Sequence, residues 1–415
     1  MASHFSILIA GAGISGLTTA IEVAAHGSGD TTLIERRSQR DASGFGLNIC
    51  PHAVELLQRR GILTDGRSDH VEGNLLHLIS KSGRELACIQ RQRRNGYPHI
   101  MIHRAELMRA LDAKLKQVAK SGSVLYGAEL REVLRYRRPV AKVRRGSREH
   151  QIAADCIAVA TGSTSSFRRQ VNALSPIRQR EVMHLWRGIA HLDGRRLGDD
   201  MFVFGDDVSR VVMYPVRHTR FGTDVNWVAA LPGDAKYRAM QQSSPSAVKA
   251  SLTEFFSGWA IQPVGMRELM SASRTIRAET LIDHKPIQAW SRGDVLLIGD
   301  AAHPMLPMGS SGAGQAIADG IMLASSLRDG PPGKTEIAFR NYHRQRRDRV
   351  NKLVELNRSM GPEQILTDYH LRTGGRGPVE DCFTAAELQH YGSEYQAALE
   401  KSFANIASEG SGHAG

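Results

Sequence analysis

Residues 6–35 constrain this chain more than any other stretch. An apolar run, Ile7, Leu8, Ile9 and Ala10, has the composition of a short buried strand and leads into Gly11-Ala12-Gly13-Ile14-Ser15-Gly16. A helical pattern follows, with Ile14, Leu17, Ile21 and Ala24 on one face and Glu22 off it. Residues 31–34 then read as a second strand that ends in Glu35. This is the order of a dinucleotide-binding βαβ unit, and each residue type has a physical task in it. Gly11 permits the tight turn out of the strand, Gly13 lets a pyrophosphate approach the backbone, and Gly16 lets the helix pack close to the sheet. The helix N-terminus offers unpaired N–H groups and the positive end of a dipole to phosphate. Glu35 stands where a carboxylate accepts hydrogen bonds from a ribose diol. The chain has 40 glycines, so the motif takes its meaning from its place between strand and helix. The apolar run is too short to span a bilayer and is followed by Glu22, so no membrane anchor is expected here.

At 415 residues the chain exceeds what one hydrophobic core usually serves, which predicts two domains or one elaborated domain. The net charge of +12 favours anionic partners: nucleic acid, acidic membranes or dinucleotide cofactors. The excess lies in runs at 91–94, 135–148 and 340–349. No aromatic residues interleave them in a stacking pattern, so these runs read as solvated faces and no nucleic acid is expected. Cys50, Cys88, Cys156 and Cys382 are far apart, with no C-x-x-C pair and no metal-ligand spacing. Reduced thiols, no metal and a cytoplasmic location are the expectation.

Taken in order, residues 44–49 carry two glycines, as a backbone close to something flat or bulky would, or as a plain loop would. Pro51 opens a helix that stops at Gly61. Residues 75–79 and 85–89, separated by Ser82-Gly83, read as a hairpin. His103-Arg104-Ala105-Glu106-Leu107 starts a helix running to about residue 120, and an Arg at a helix start faces the unfavourable end of the dipole unless an anion is near. Residues 123–126, 129–135 and 140–144 read as strands, and 155–162 as a buried parallel strand entering a glycine loop. From Trp186 the pattern turns to β: 186–190, 201–204, 211–216 and 223–231. In the last of these Val225, Trp227 and Ala229 share one side. An amphipathic helix follows at 248–259. Residues 293–303 repeat the strand–Gly–Asp arrangement at Gly299 and Asp300, and a glycine-rich loop then enters a helix from about Ala316 to Leu327. Residues 335–358 read as a long basic helix, those beyond Gly374 as a peripheral appendage, and 408–415 as disordered.

These landmarks resemble the single-component, FAD-dependent aromatic monooxygenases of the p-hydroxybenzoate and salicylate hydroxylase type, and among them the bacterial phenazine-type hydroxylases. The likeness rests on the 11–16 glycine turn with Glu35, residues 44–49, the helix start at Arg104, Trp186-Arg187-Gly188, and the Gly-Asp-Ala-Ala-His-Pro run at 299–304 with its loop to Gln315. It implies an α/β fold: a Rossmann-like, glutathione-reductase-type FAD domain with an inserted, mainly β substrate domain and a C-terminal helical region. The expected boundaries are 1–73, 102–175 and 285–330 for the FAD domain, 74–101 and 176–284 for the substrate domain, and 331–415 for the helices and tail. It implies FAD held by Gly11, Gly13, Ser15 and Gly16 at the pyrophosphate. Glu35 would take the ribose and Arg36 and Leu130 the adenine, with Arg104 at the phosphate or ribityl region and Asp300 at the ribityl chain. Gly46, Gly312 and Ala313 would lie at the flavin. The implied reaction uses NADH or NADPH and O2 to hydroxylate an electron-rich aromatic small molecule through a flavin C4a-hydroperoxide, with no side chain assigned as a catalytic group. Tyr214, Trp227, Pro307 and Met308 are placed either on a substrate pocket or in the core. His303 reads as a structural histidine in preference to a base. The family pattern Ala-Asp-Gly is Ala160-Thr161-Gly162 here, which removes a carboxylate associated with nicotinamide docking. An FAD-dependent reductase, or a flavin-binding protein with poor NAD(P)H use, is the alternative, and monomer and homodimer are both open.

Overall fold

The N-terminal apolar run forms the strand Phe5–Ala10, and its neighbours explain why nearly every position is apolar. Gly29–Glu35 pairs with it in parallel on one side and Cys156–Val159 on the other, so it is buried on both faces. The sheet has six strands in the order Ser291–Arg292, Val295–Leu297, Cys156–Val159, Phe5–Ala10, Gly29–Glu35, Leu125–Tyr126, and all but the first run parallel. The computed structural model describes residues 5–39, 44–64, 69–119, 124–173, 179–194, 197–404 and 406. The expected disordered tail at 408–415 and the first residue of the strand expected at 123–126 lie outside them.

The helix Ile14–His26 covers this sheet and packs closely against the helix Gly312–Asp329. A Cβ on Gly320 would meet the Cβ of Thr18 at 2.7 Å, so glycine is needed for the two helices to cross at this distance. Glu22 is not off the packed face, as its sequence position suggested. It is 5% exposed and receives the Arg60 guanidinium at 2.7 Å, an ion pair the helical pattern alone does not reveal. Among the described residues no helix is long and apolar enough to cross a membrane.

A second sheet of seven strands stands beside the first, in the order Ser273–His284, Gln179–Asp193, Gly222–Pro232, Arg210–His218, Met201–Gly205, Leu75–Ser80, Glu85–Gln90. The expected hairpin at 75–89 forms and joins Met201–Gly205 in parallel. Trp186, Trp227 and Ala229 point to one face, where the helices Pro245–Phe255 and Met266–Ala272 close over them. Gly188 leaves room for the Trp227 indole, which a Cβ there would meet at 2.7 Å, and the indole N–H donates to Ser273 Oγ at 2.7 Å. The opposite face of this sheet is turned toward the first sheet and carries the site.

Four features depart from the sequence reading. Residues 46–49 are a strand, paired antiparallel with His99–His103, which also pairs with His70–Gly73. Residues 99–101 therefore belong with that three-stranded sheet and not with the seven-stranded one. Ser273–His284 is a long edge strand whose Arg274, Arg277 and Glu279 hide any apolar alternation; its partner strand supplies the ladder. The residues beyond Gly374 are not an appendage, since Tyr395, Leu399, Phe403 and Ile406 are buried in the core of the first sheet.

Candidate functional site

The first glycine turn opens into a cleft of 350 Å³. Gly11 has φ +109°, donates its N–H to Ile34 O at 2.8 Å, and has no space for a Cβ, which would lie 2.4 Å from Ala160 O. Gly16 is equally constrained, since a Cβ would fall 2.0 Å from Gly11 O. Gly13 differs: a Cβ there would meet nothing within 4 Å, because it faces the open cleft. The helix that starts at Ile14 has no side-chain cap, so its first N–H groups point into the same space. Glu35 accepts from Ala12 N and from Arg37 N, both at 3.0 Å, and keeps further lone pairs for the cleft. Arg36, Arg104 and Leu130 also line it. The Ser15 side chain faces elsewhere, against the second glycine turn, where a Cβ on Gly299 would meet its Oγ at 2.5 Å.

A larger cavity of 670 Å³ continues from this cleft, and the two share Thr164, Ser165 and Ser166. Together they form one trench between the sheets. Asp300 opens onto the larger cavity yet is surrounded by protein. Desolvation holds its carboxyl above the usual range, opposed by charge on His303, Arg104 and Arg168. Arg168 is 3% exposed; its Nη1 donates to Ala301 O and Ala302 O at 3.0 and 3.1 Å, while Nε and Nη2 have no partner. Burial lowers its pKa to about 10, against the pull of Asp300. The helix Gly312–Asp329 begins at the far side, earlier than its apolar pattern suggested, with Ser311 at its N-cap making no side-chain cap. A Cβ on Gly312 would approach only Met305, at 3.7 Å.

Tyr214, Pro307 and Met308 line the larger cavity. Burial pushes the Tyr214 phenol up to about 12, with Arg187 and Arg91 acting the other way. Trp227 does not line it: the alternation that singled it out turns it to the far face, in the second core. Gly46 is pressed against the sheet, bonded to Asn226 Oδ1 at 2.7 Å, and a Cβ there would lie 2.7 Å from Tyr214. Arg168, Arg187, Arg210 and Glu363 also line the cavity and were not singled out as site residues. Arg187 lies within the Trp186-Arg187-Gly188 landmark, 5.0 Å over the Phe45 ring, and was legible to that extent.

Behind the second glycine turn, His303 Nε2 meets Asp319 Oδ2 at 2.5 Å, and the same oxygen accepts Gly299 N at 2.8 Å. Arg346 Nε donates to the other oxygen at 2.9 Å. Arg346 also reaches Gln315 Oε1 at 2.8 Å and Ser402 O at 2.6 Å. His303 is therefore tied into structure. The sequence signal for this network is an acid and an amide, Asp319 and Gln315, within a helix otherwise rich in small and apolar residues.

The residues fit a flavin dinucleotide: a Gly13 cradle with room for phosphate, two uncapped helix starts, unspent Arg168 donors, and carboxylates at Glu35 and Asp300. Comparison with known proteins agrees. The model of the FAD binding domain family matches residues 4–357. The chain is 30% identical over 372 residues to phenazine 1,6-dicarboxylic acid hydroxylase of Lysobacter antibioticus, covering 86% of this chain and 90% of that protein. It is 28% identical over 405 residues to a 3-amino-4-hydroxybenzoate 2-monooxygenase of Streptomyces platensis, covering 93% and 94%. Its fold superposes on Klebsiella pneumoniae HpxO complexed with FAD at a TM-score of 0.75, with 21% identity over 96% of this chain and 98% of that one.

Proposed function

The chain belongs to the FAD binding domain family, as one of its FAD-dependent aromatic monooxygenases, and from that membership we propose that it hydroxylates an electron-rich aromatic or polycyclic small molecule with NADH or NADPH and O2. The observation that carries this reading is the continuous trench, with Glu35 at one end and Asp300 where it opens beneath the seven-stranded sheet. Gly13 and the helix start at Ile14 would take the pyrophosphate, Glu35 the ribose, Arg36 and Leu130 the adenine surroundings. Arg104 and Asp300 would hold the ribityl phosphate region, and Gly312 and Ala313 the flavin edge. Bound FAD would supply hydride acceptance and oxygen activation. The chain's own part is to position, to exclude water and to set charge. The uncapped helix start at Gly312 offers positive potential to an anionic reduced ring. Pro307, Met308, Tyr214 and Val228 wall the space where an aromatic ring would lie.

Purified protein is expected to carry one non-covalent FAD per chain, and NAD(P)H oxidation is expected to accelerate with an aromatic compound and yield a product heavier by one oxygen atom. Colourless protein that cannot be reconstituted, or oxidation with no oxygenated product for any electron-rich aromatic, would remove the reading. Asp300→Ala is expected to weaken FAD binding by the worth of a hydrogen bond to a charged group, about 1.5–3 kcal/mol. Unchanged FAD affinity in that variant would take Asp300 out of the site.

Thr161 Oγ1 donates to Ser165 Oγ at 2.7 Å and lines the smaller cleft. Its hydroxyl keeps a hydrogen bond there but supplies no charge. If nicotinamide docking uses a carboxylate at this point, Thr161→Asp should speed stopped-flow flavin reduction roughly tenfold, equivalent to about 1.4 kcal/mol. An unchanged rate with FAD content intact would assign nicotinamide docking to other surfaces.

A further inference from the structure

A third cavity, of 590 Å³, lies beyond the loop that carries Gly309 and Ser310. It shares Met201, Ser310 and Glu363 with the 670 Å³ cavity, so the two communicate. Much of its wall is apolar, from Leu76, Ile89, Val203 and Leu399, but one pole is not. There Arg91 Nη1 donates to Asn48 Oδ1 at 3.0 Å and Nη2 to Met201 Sδ at 3.4 Å. No carboxylate pairs with Arg91 among the described residues; Asp200 acts on it only from beyond contact. Its neighbours are different: Arg93 is paired with Glu72 and Arg94 with Glu55. Beside Arg91 stand His52, 5% exposed, and His99, each with a buried Nδ1 that has no partner.

A guanidinium taken out of water and given only an amide oxygen and a thioether is under-satisfied, and two orphaned ring nitrogens at the same pole compound the cost. A planar carboxylate matches the guanidinium fork and supplies the missing charge. We propose that this pole receives the carboxylate of an aromatic acid, held chiefly by Arg91, with the ring of that acid extending toward Met201 and Ser310 where the two cavities join. This names the substrate class and rests on the monooxygenase reading above. The acidic residues of the lining, Glu363 and Glu400, lie away from Arg91's bonds; Glu363 faces Arg210 at 3.8 Å. The local field agrees. Burial, with Arg91 adding to it, lowers His99 to about 3, and burial with Arg94 lowers His52 to about 4, as expected beside unneutralised positive charge.

The test is a titration of the FAD-loaded protein, read by the visible flavin spectrum and by calorimetry, with phenazine-1,6-dicarboxylate, 3-amino-4-hydroxybenzoate and uncharged phenazine. The wild type is expected to bind an acid more tightly than phenazine. Arg91→Gln should weaken the acid about thirtyfold, Arg91→Lys less, and neither should change phenazine binding. FAD content and melting temperature report whether each variant is folded; should Arg91→Gln fail there, Arg91→Lys and His99→Gln carry the same comparison. Acid affinity within about twofold of wild type in folded variants would overturn the assignment, as would phenazine bound as tightly as the acids. Both results leave the hydroxylase reading standing if aromatic compounds still stimulate NAD(P)H oxidation. Absence of binding and of stimulation by all three compounds would count against both.

Discussion

Asp319→Ala is expected to cost about 3–5 kcal/mol of stability, enough to keep folded, flavin-holding protein from accumulating. Both oxygens of this carboxylate are used, one by His303 and the Gly299 amide, the other by Arg346. Arg346 is 1% exposed and His303 2%, so deletion leaves a guanidinium and an imidazole without their counter-charge inside the core. Burial alone would raise the Asp319 carboxyl; the charges of His303 and Arg346 override it and hold it below the usual range. The Gly299 amide is the turn that presents Asp300 to the trench, so the damage reaches FAD binding as well as folding. Asp319→Asn keeps an acceptor oxygen and loses the charge, and should fall between wild type and alanine. Soluble yield, thermal midpoint and FAD retention of the three proteins decide the matter. An alanine variant that melts within a degree or two of wild type and keeps its flavin would show that the network is not a foundation of the site.

Arg346 also marks where sequence reasoning stopped. It lies in a run of arginines at 340–349 that reads as a solvated face, and most of that run is solvated. Which residue of a basic helix turns inward depends on a buried acid elsewhere, here on the helix Gly312–Asp329, and no local pattern encodes that pairing. Arg91 is the same case at 91–94. The parallel sheet was legible because a strand buried on both faces must be apolar throughout, and the glycine turns were legible because their geometry admits nothing else. Trp227 shows the limit of period-2 reasoning. Alternation puts Val225, Trp227 and Ala229 on one face of a strand, but does not say whether that face meets the helices or the site. Here it meets the helices, and Tyr214 on the neighbouring strand faces the cavity. The C-terminal helix Ser393–Phe403 was missed because only two or three of its side chains are apolar in any turn. Its burial comes from the groove that the other helices leave for Tyr395, Leu399 and Phe403.

Stability is expected to fall steeply as pH drops from about 6.5 toward 4, before ordinary carboxylates titrate. Four histidines are held neutral inside the fold. Burial lowers His52, His284 and His343 to about 4 and His99 to about 3, helped by Arg94, Arg168, Arg347 and Arg91 respectively. The sign follows from proton counts. In the unfolded chain each imidazole takes a proton near its ordinary value, while in the folded protein it stays neutral until much lower pH. Between those values the unfolded state binds more protons, so acid favours it. The contribution is fully present above about 6.5 and shrinks by about 1.4 kcal/mol per histidine for each pH unit below, until the folded-state groups themselves protonate. Asp300 and Glu363 act in the other direction. Burial raises both carboxyls, so the folded state takes their protons first and recovers part of the loss near the carboxylate range. Thermal midpoints at pH 7.5, 6, 5 and 4.5 should therefore decline with a slope set by several protons. His343 is the residue to vary, because it packs against Trp290 at 6.3 Å, away from the trench. His343→Phe should flatten the pH dependence by close to one proton and leave FAD content unchanged. Equal midpoints at pH 7.5 and pH 5, or a slope indifferent to His343→Phe, would mean that these imidazoles are hydrated in the folded protein, and that the pole at Arg91, His52 and His99 is wetter than its burial indicates.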